Sequence, residues 1–203
     1  MVAKKNPGIS LVLASQLFIV LLGALGIWLV NISFPAKRIG WMLASALGSL
    51  LAIITFVFFL LFYRLGGKLS ASLLEDMHRI TGLFRGYSWW QIACIAALAG
   101  VGEELLFRGF LQNFMANYMS IAMAIIGSSI IFGLLHYLSH AYFISAVLMS
   151  IAFGAGYHYS GSLLMVILWH GVYDFIALGA IIKFPETIGL GKDFSSPAFF
   201  EKE

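Results

Sequence analysis

The chain has 203 residues, 61% of them hydrophobic and only 10% charged, with a mean hydropathy of +0.96 and a formal net charge of +3. Those values exclude a soluble globular domain and put the chain in the membrane class. The few cations are spread through connections rather than gathered in a basic, aromatic-lined groove, so nucleic acid is not an expected partner; the single cysteine, Cys94, excludes an intrachain disulfide and a cysteine-rich metal site.

In chain order, Lys4 and Lys5 precede an apolar run over 9–30 that is long enough to span and lacks a clear small-residue cleavage pattern, so a retained first helix is expected. Further apolar segments follow at 41–63, 91–113, 119–138, 141–159 and 162–182, each near the roughly 20 residues needed to cross a ~30 Å hydrocarbon core. The last four are joined by very short turns.

Between the second and third segments, Leu69, Leu73, Leu74, Met77, Ile80 and Phe84 recur at helical spacing. Ser72, Glu75, Asp76 and Arg79 take the other side. This pattern predicts an interfacial amphipathic helix. Trp89 and Trp90 follow, where an aromatic belt would mark re-entry into the membrane.

The fold class expected is therefore all-α, a polytopic membrane bundle of about six transmembrane helices plus one interfacial helix, in a single domain over 1–203. With the N-terminus inside, Lys4, Lys5, Arg64, Lys68, Arg79, Arg85, Lys183, Lys192 and Lys202 fall on the cytoplasmic side and only Lys37 and Arg38 outside, a clear positive-inside bias. Ser129 and Gly133, and Ala152 and Gly156, stand four apart as close-packing devices. No internal repeat or inverted symmetry of the transporter kind is visible.

Against this apolar background the polar residues stand out. In Gly102-Glu103-Glu104-Leu105-Leu106-Phe107-Arg108-Gly109, two carboxylates and a guanidinium interrupt the third segment, and each charge costs roughly 2.5–3.5 kcal/mol at a helix centre on insertion scales. Glu104 and Arg108, four apart, share a face and can pair, whereas Glu103 is rotated by about 100°. One carboxylate can thus be structural while its neighbour is reactive; the competing reading is an ion network with no chemistry.

His136 lies near the end of the fourth segment, and His170 and Asp174 sit four apart in the sixth, facing the same way. His136 and His140 do not form H-E-x-x-H, because Tyr137 stands where the glutamate would be. His140 and His158 are expected at the interface and His78 on the amphipathic helix. Gathered in one partly dry cavity, a carboxylate and two histidines can activate water and stabilise an oxyanion, as amide hydrolysis requires. The depths raise a difficulty: counted from Gln91, Glu103 is about 18 Å in, yet His136 falls near the inner end of its helix. A third helix that protrudes on the inner side would reconcile them.

The motifs Glu103-Glu104-x-x-x-Arg108, Phe132-x-x-x-His136 and His170-x-x-x-Asp174, in that order and on successive segments, resemble those of the CAAX-processing and bacteriocin-processing intramembrane proteases, also called the abortive-infection family. The resemblance covers roughly 87–182. It implies that Glu103 is the general base that activates water with His136, that His170 and Asp174 stabilise the oxyanion, and that Glu104 and Arg108 support the site. Asp174 stands where some relatives have Asn, and an ionised carboxylate would repel an oxyanion, so it serves there only if protonated or if it orients His170. Two histidines and a carboxylate can also hold zinc with an open water position. The resemblance favours a glutamate-dependent mechanism, and no metal or other cofactor is expected.

The expected function is thus an intramembrane endopeptidase of the CAAX prenyl protease type, multi-pass in a bacterial plasma membrane with both termini cytoplasmic. Its partners are the lipid bilayer and a membrane-anchored peptide or protein substrate: prenylated CAAX tails, or signal and bacteriocin-like peptides. The competing classes are a non-catalytic immunity or regulatory scaffold and a proton-coupled transporter.

Overall fold

A computed structural model describes residues 8–188. Helices α1 (Ile9–Val30), α2 (Trp41–Leu65), α3 (Lys68–Phe84) and α4 (Trp89–Glu104) are followed by a π-helical stretch, Leu105–Gln112, that runs without a break into α5 (Asn113–Ala116). Then come α6 (Ile121–Leu135), α7 (His140–Ser160), α8 (Leu163–Lys183) and a 3₁₀ turn, Pro185–Ile188. The described residues are all-α.

Serine starts most of the helices in the second half. Ser88 forms a capping box with Gln91, and Ser120, Ser139 and Ser162 each accept from the backbone N–H three residues on, satisfying donors that the bilayer cannot. Asn31 and Gly161 close α1 and α7 in the left-handed conformation.

Among the described residues five helices are long and apolar enough to cross a membrane: α1, Trp41–Arg64, the continuous Trp89–Ala116, α7 and α8. The fourth expected span instead contains the 15-residue α6. At 1.5 Å per residue α6 is only about 22 Å long.

Large apolar side chains such as Phe18, Trp28, Phe58 and Leu148 point outward, and the interior combines large apolar residues such as Ile92, Phe153 and Tyr157 with small and polar ones such as Ala44, Ser128 and Ser129, as expected where lipid itself satisfies apolar surface and close helix approach contributes to packing. Gly133 and Gly156 fill the close-contact role expected of them: a Cβ on Gly133 would meet Val147 and Phe143, and one on Gly156 would meet Met165 and Trp169. Trp89 and Trp90 are both exposed.

A tight seam joins α4 to α8, where a Cβ on Gly100 would lie 2.8 Å from both Cα and N of Gly171. Both partners there are backbone, so Gly100→Ala must push the two helices apart. It is expected to lower stability by about 1–3 kcal/mol, read as a fall in the thermal unfolding midpoint in detergent.

One end of the bundle holds the 31–40 connection, whose Arg38 N–H donates to Ser160 O. The other end gathers α3, the α6–α7 corner and the 185–188 turn, since Asp76 meets Ser139 and Ile188 packs with Leu74 and Ile80. Arg64, Lys68, Arg79, Arg85 and Lys183 therefore share an end opposite Lys37 and Arg38, the sorting that the charge bias calls for. Lys4, Lys5, Lys192 and Lys202 lie outside the described residues.

Candidate active site

Glu104 is wholly buried and Arg108 is 1% exposed. The pair anticipated from their spacing forms, with Arg108 Nη1 donating to Glu104 Oε1 at 2.9 Å. The guanidinium also donates from Nη2 to Ser150 O at 2.8 Å and Ser150 Oγ at 2.7 Å, and lies over the rings of Phe107, Phe132 and Phe153. A buried charge needs this many partners. The π stretch that carries Arg108 is further supported by Asn113 Nδ2, which donates to Arg108 O, Gly109 O and Tyr157 Oη, and by Gln112 Nε2, which donates to Gly154 O.

Glu104 Oε1 also accepts from His170 Nδ1 at 2.8 Å. A carboxylate beside Nδ1 fixes the ring orientation and leaves Nε2 as the nitrogen turned to the cavity. That nitrogen is 3.4 Å from Asp174 Oδ2 and 3.8 Å from Glu103 Oε2. Phe153 stacks on the imidazole at 5.2 Å between centroids.

His136 is held in the same manner by a different partner. Its Nδ1 lies 2.9 Å from Phe132 O, a group that can only accept, so Nδ1 carries the proton and Nε2 faces Glu103 Oε2 at 3.4 Å. The ring stacks on Phe132 at 4.2 Å. Glu103 Oε2, buried, accepts no hydrogen bond from any of the described residues; the two imidazole Nε2 atoms flank it.

These groups line one cavity of about 140 Å³. Glu103, His136, His170 and Asp174 form its polar wall, with Phe59, Met149 and Phe153 among its apolar walls. All six residues singled out in the sequence come together: four at the cavity, and Glu104 and Arg108 packed behind it. His136 and Asp174 remain partly open, at 32% and 27% side-chain exposure. His78, His140 and His158 do not line the cavity. Among the described residues no group of three or more His, Cys, Asp and Glu is placed to hold a metal ion.

Two features resolve the depth difficulty. The third membrane helix is long, 28 residues over Trp89–Ala116, and α6 is short. Measured from their shared 117–120 turn, Glu103 is about 20 Å away along the π stretch and His136 about 22 Å away along α6, so the two meet at one level.

Asp76 differs from expectation. Its place among polar residues predicts a solvent-facing side chain, yet it is 2% exposed, because that face of α3 meets the α6–α7 corner, where Ser139 Oγ donates to Asp76 Oδ2 at 2.5 Å. Ser150, Ser139 and the cavity-lining tyrosines Tyr63, Tyr142 and Tyr173 carry no pattern in the sequence that points to the site. Their positions follow only from how the helices pack.

No curated protein and no solved structure matches the chain. A family model does match, over residues 85–176: Rce1-like, described as type II CAAX prenyl endopeptidase Rce1-like. That stretch holds the Glu103-Glu104-x-x-x-Arg108, Phe132-x-x-x-His136 and His170-x-x-x-Asp174 motifs together with the convergence of their side chains in a membrane-spanning helical bundle. Over residues 85–176 the chain is similar to the Rce1-like family of type II CAAX prenyl endopeptidases, a protease family.

Proposed function

We propose that this protein is an intramembrane endopeptidase in which Glu103 and His136 activate a water molecule for attack on a peptide carbonyl. The observation that carries the reading is the placement of Glu103 Oε2, buried and without a hydrogen bond, 3.4 Å from His136 Nε2 and 3.8 Å from His170 Nε2 at a cavity wall. A water held between Glu103 Oε2 and His136 Nε2 meets two acceptors, so its oxygen lone pair is left for the carbonyl carbon.

As the C–O bond forms, Glu103 takes the water's proton and the carbonyl oxygen becomes an oxyanion. His170, when Nε2 is protonated, donates to that oxygen from a position fixed by Glu104 behind it. Collapse of the tetrahedral species breaks the C–N bond, and Glu103 returns the proton to the leaving amine. Asp174 Oδ2, 3.4 Å from His170 Nε2, acts by aligning that nitrogen rather than by touching the oxyanion. The reaction needs no bound metal.

The substrate is a peptide or protein segment delivered by its own membrane anchor to the α3 end of the bundle. The excess of Arg and Lys at that end supports its being the cytoplasmic face. A bacterial plasma membrane is the setting we assign.

The test is incubation of the purified full chain, in liposomes, with a panel of membrane peptides that includes prenylated ones, followed by mass spectrometry, with and without a divalent-metal chelator. New termini that appear at the same rate in both conditions are the expected result. An intact panel from well-folded protein would favour the non-catalytic scaffold, and cleavage abolished by chelator would overturn the metal-free mechanism.

A further inference from the structure

Asp76 is a buried carboxylate that the hydrolytic mechanism leaves unused. Its only close partners among the described residues are Ser139 Oγ, at 2.5 Å, and Arg79 Nη1, at 3.9 Å. Ser139 is already committed: it caps α7 by accepting from Tyr142 N–H at 3.1 Å, and it accepts a weaker bond from Ser72 Oγ at 3.3 Å. This cluster of Ser72, Asp76 and Ser139 joins α3 to the corner only three residues beyond His136. Leu73, three residues before Asp76, and Met77, the residue after it, line the catalytic cavity.

The rest of the attachment of α3 has a different character. Towards α2 and α8 it is broad and largely apolar, with Leu74, Met77 and Ile80 packed on Ile181 and Ile188, and Ser70 Oγ donating to Tyr63 O at 2.9 Å. Towards α7 the polar cluster is what the hydrogen bonds supply. At its ends α3 is flanked by Gly66 and Gly67, at φ 74° and 103°, and by Gly86, at φ 89°. A side chain is strained at these values, and a Cβ at any of the three would meet nothing within 4 Å, so these joints can turn without a packing cost.

The cavity, to whose lining α3 contributes Leu73 and Met77, has a volume of about 140 Å³, well below the ~300–1,000 Å³ of pockets that enclose a drug-sized ligand. It has room for one side chain and a carbonyl, not for a peptide segment with residues on both sides of the scissile bond.

We propose that α3 is a hinged cover over the catalytic cavity, latched to the α6–α7 corner by Asp76 and Ser139, and that substrate enters when the seam between α3 and α7 opens. The inference rests on the protease reading for its purpose, but the motion can be measured without it. In the latched state Asp76 is also a positioning residue, because it holds through Ser139 the corner that carries His136.

Two readouts test the cover in the full chain with Cys94→Ala, which removes the one native thiol. In the first, Ser72→Cys and Ser139→Cys are paired, their parent hydroxyl oxygens being 3.3 Å apart, within reach of a disulfide after small side-chain adjustment. The oxidised form is expected to cleave peptide at least tenfold more slowly than the same protein after reduction. Equal rates would overturn the proposal. In the second, Ser145→Cys reports from the cavity wall, and its alkylation by a water-soluble maleimide is followed with and without Asp76→Ala.

Alkylation is expected to rise at least fivefold when the latch is removed, while in the native background, with and without Asp76→Ala, Cys94 on α4 keeps its rate and so excludes general loosening of the fold. An unchanged rate at Ser145→Cys, or a parallel rise at Cys94, would overturn the cover. If the parent protein cleaves no peptide at all, the protease reading fails by that result, and the alkylation measurement still decides whether α3 opens.

Discussion

Glu103→Gln is expected to lower turnover by about 10²–10⁴-fold, the span associated with loss of a general base, and to leave the fold unaltered. The substitution keeps the shape of the side chain and removes only its charge and its capacity to take a proton. Because Glu103 Oε2 accepts no hydrogen bond within the described residues, little internal bonding at that oxygen is lost with the charge. Rates of product formation by mass spectrometry, set beside unfolding midpoints for the two proteins, separate the outcomes. Equal turnover would sink the assignment of Glu103 as base, and a collapsed midpoint would make it a structural residue. Asp174→Asn provides the contrast in the same assay. An amide can still align His170, so the loss there is expected to stay within about tenfold, or about 1.4 kcal/mol in activation free energy. A loss as large as that of Glu103→Gln would show Asp174 in direct contact with the reacting atoms.

Arg108→Met is expected to act in the opposite way, destroying stability before chemistry. The guanidinium is 1% exposed and neutralises a Glu104 carboxylate that is wholly buried. Removing one member of such a pair leaves the other charge stranded, at a cost of roughly 3–5 kcal/mol. The expected signs are poor yield and a much lower unfolding midpoint in detergent. Pairing it with Glu104→Gln should recover a substantial part of that loss, since no unpaired charge then remains, and the two changes should be far from additive. Activity need not return with stability, because Glu104 also orients His170. If Arg108→Met alone unfolds at the normal temperature, neither the ion pair with Glu104 nor the bonds from Arg108 to Ser150 on α7 hold the π stretch in place.

The contacts that were legible in the sequence are those within one helix. Glu104 with Arg108 and His170 with Asp174 follow from a spacing of four, and both pairs form. Contacts between helices carry no such signature. That Glu104 serves His170 as well as Arg108, and that Ser150 completes the guanidinium's partners, depends on α7 and α8 being brought against the π stretch, which periodicity does not encode. The π stretch was equally hidden: Leu105–Gln112 reads as ordinary helix, and its dependence on Asn113 and Gln112 appears only with the neighbouring backbone in place. Asp76 was misread for a related reason. An amphipathic pattern divides residues into two faces but does not say that the polar face also has a protein partner. The early stop of α6 at Leu135 was missed because apolar residues continue to Leu138.

That early stop has an elastic consequence for the surrounding bilayer. A helix of about 22 Å beside others matched to a ~30 Å hydrocarbon core leaves a deficit of several ångströms, and local thinning of the lipid is one way to meet it, at a cost of fractions of a kcal/mol per ångström. Around α6 the headgroup layer and its hydration are thereby drawn down toward the 136–139 corner, which shortens the distance that water must travel to reach the buried carboxylate. Such a dimple in the membrane is expected to favour lipids with shorter acyl chains.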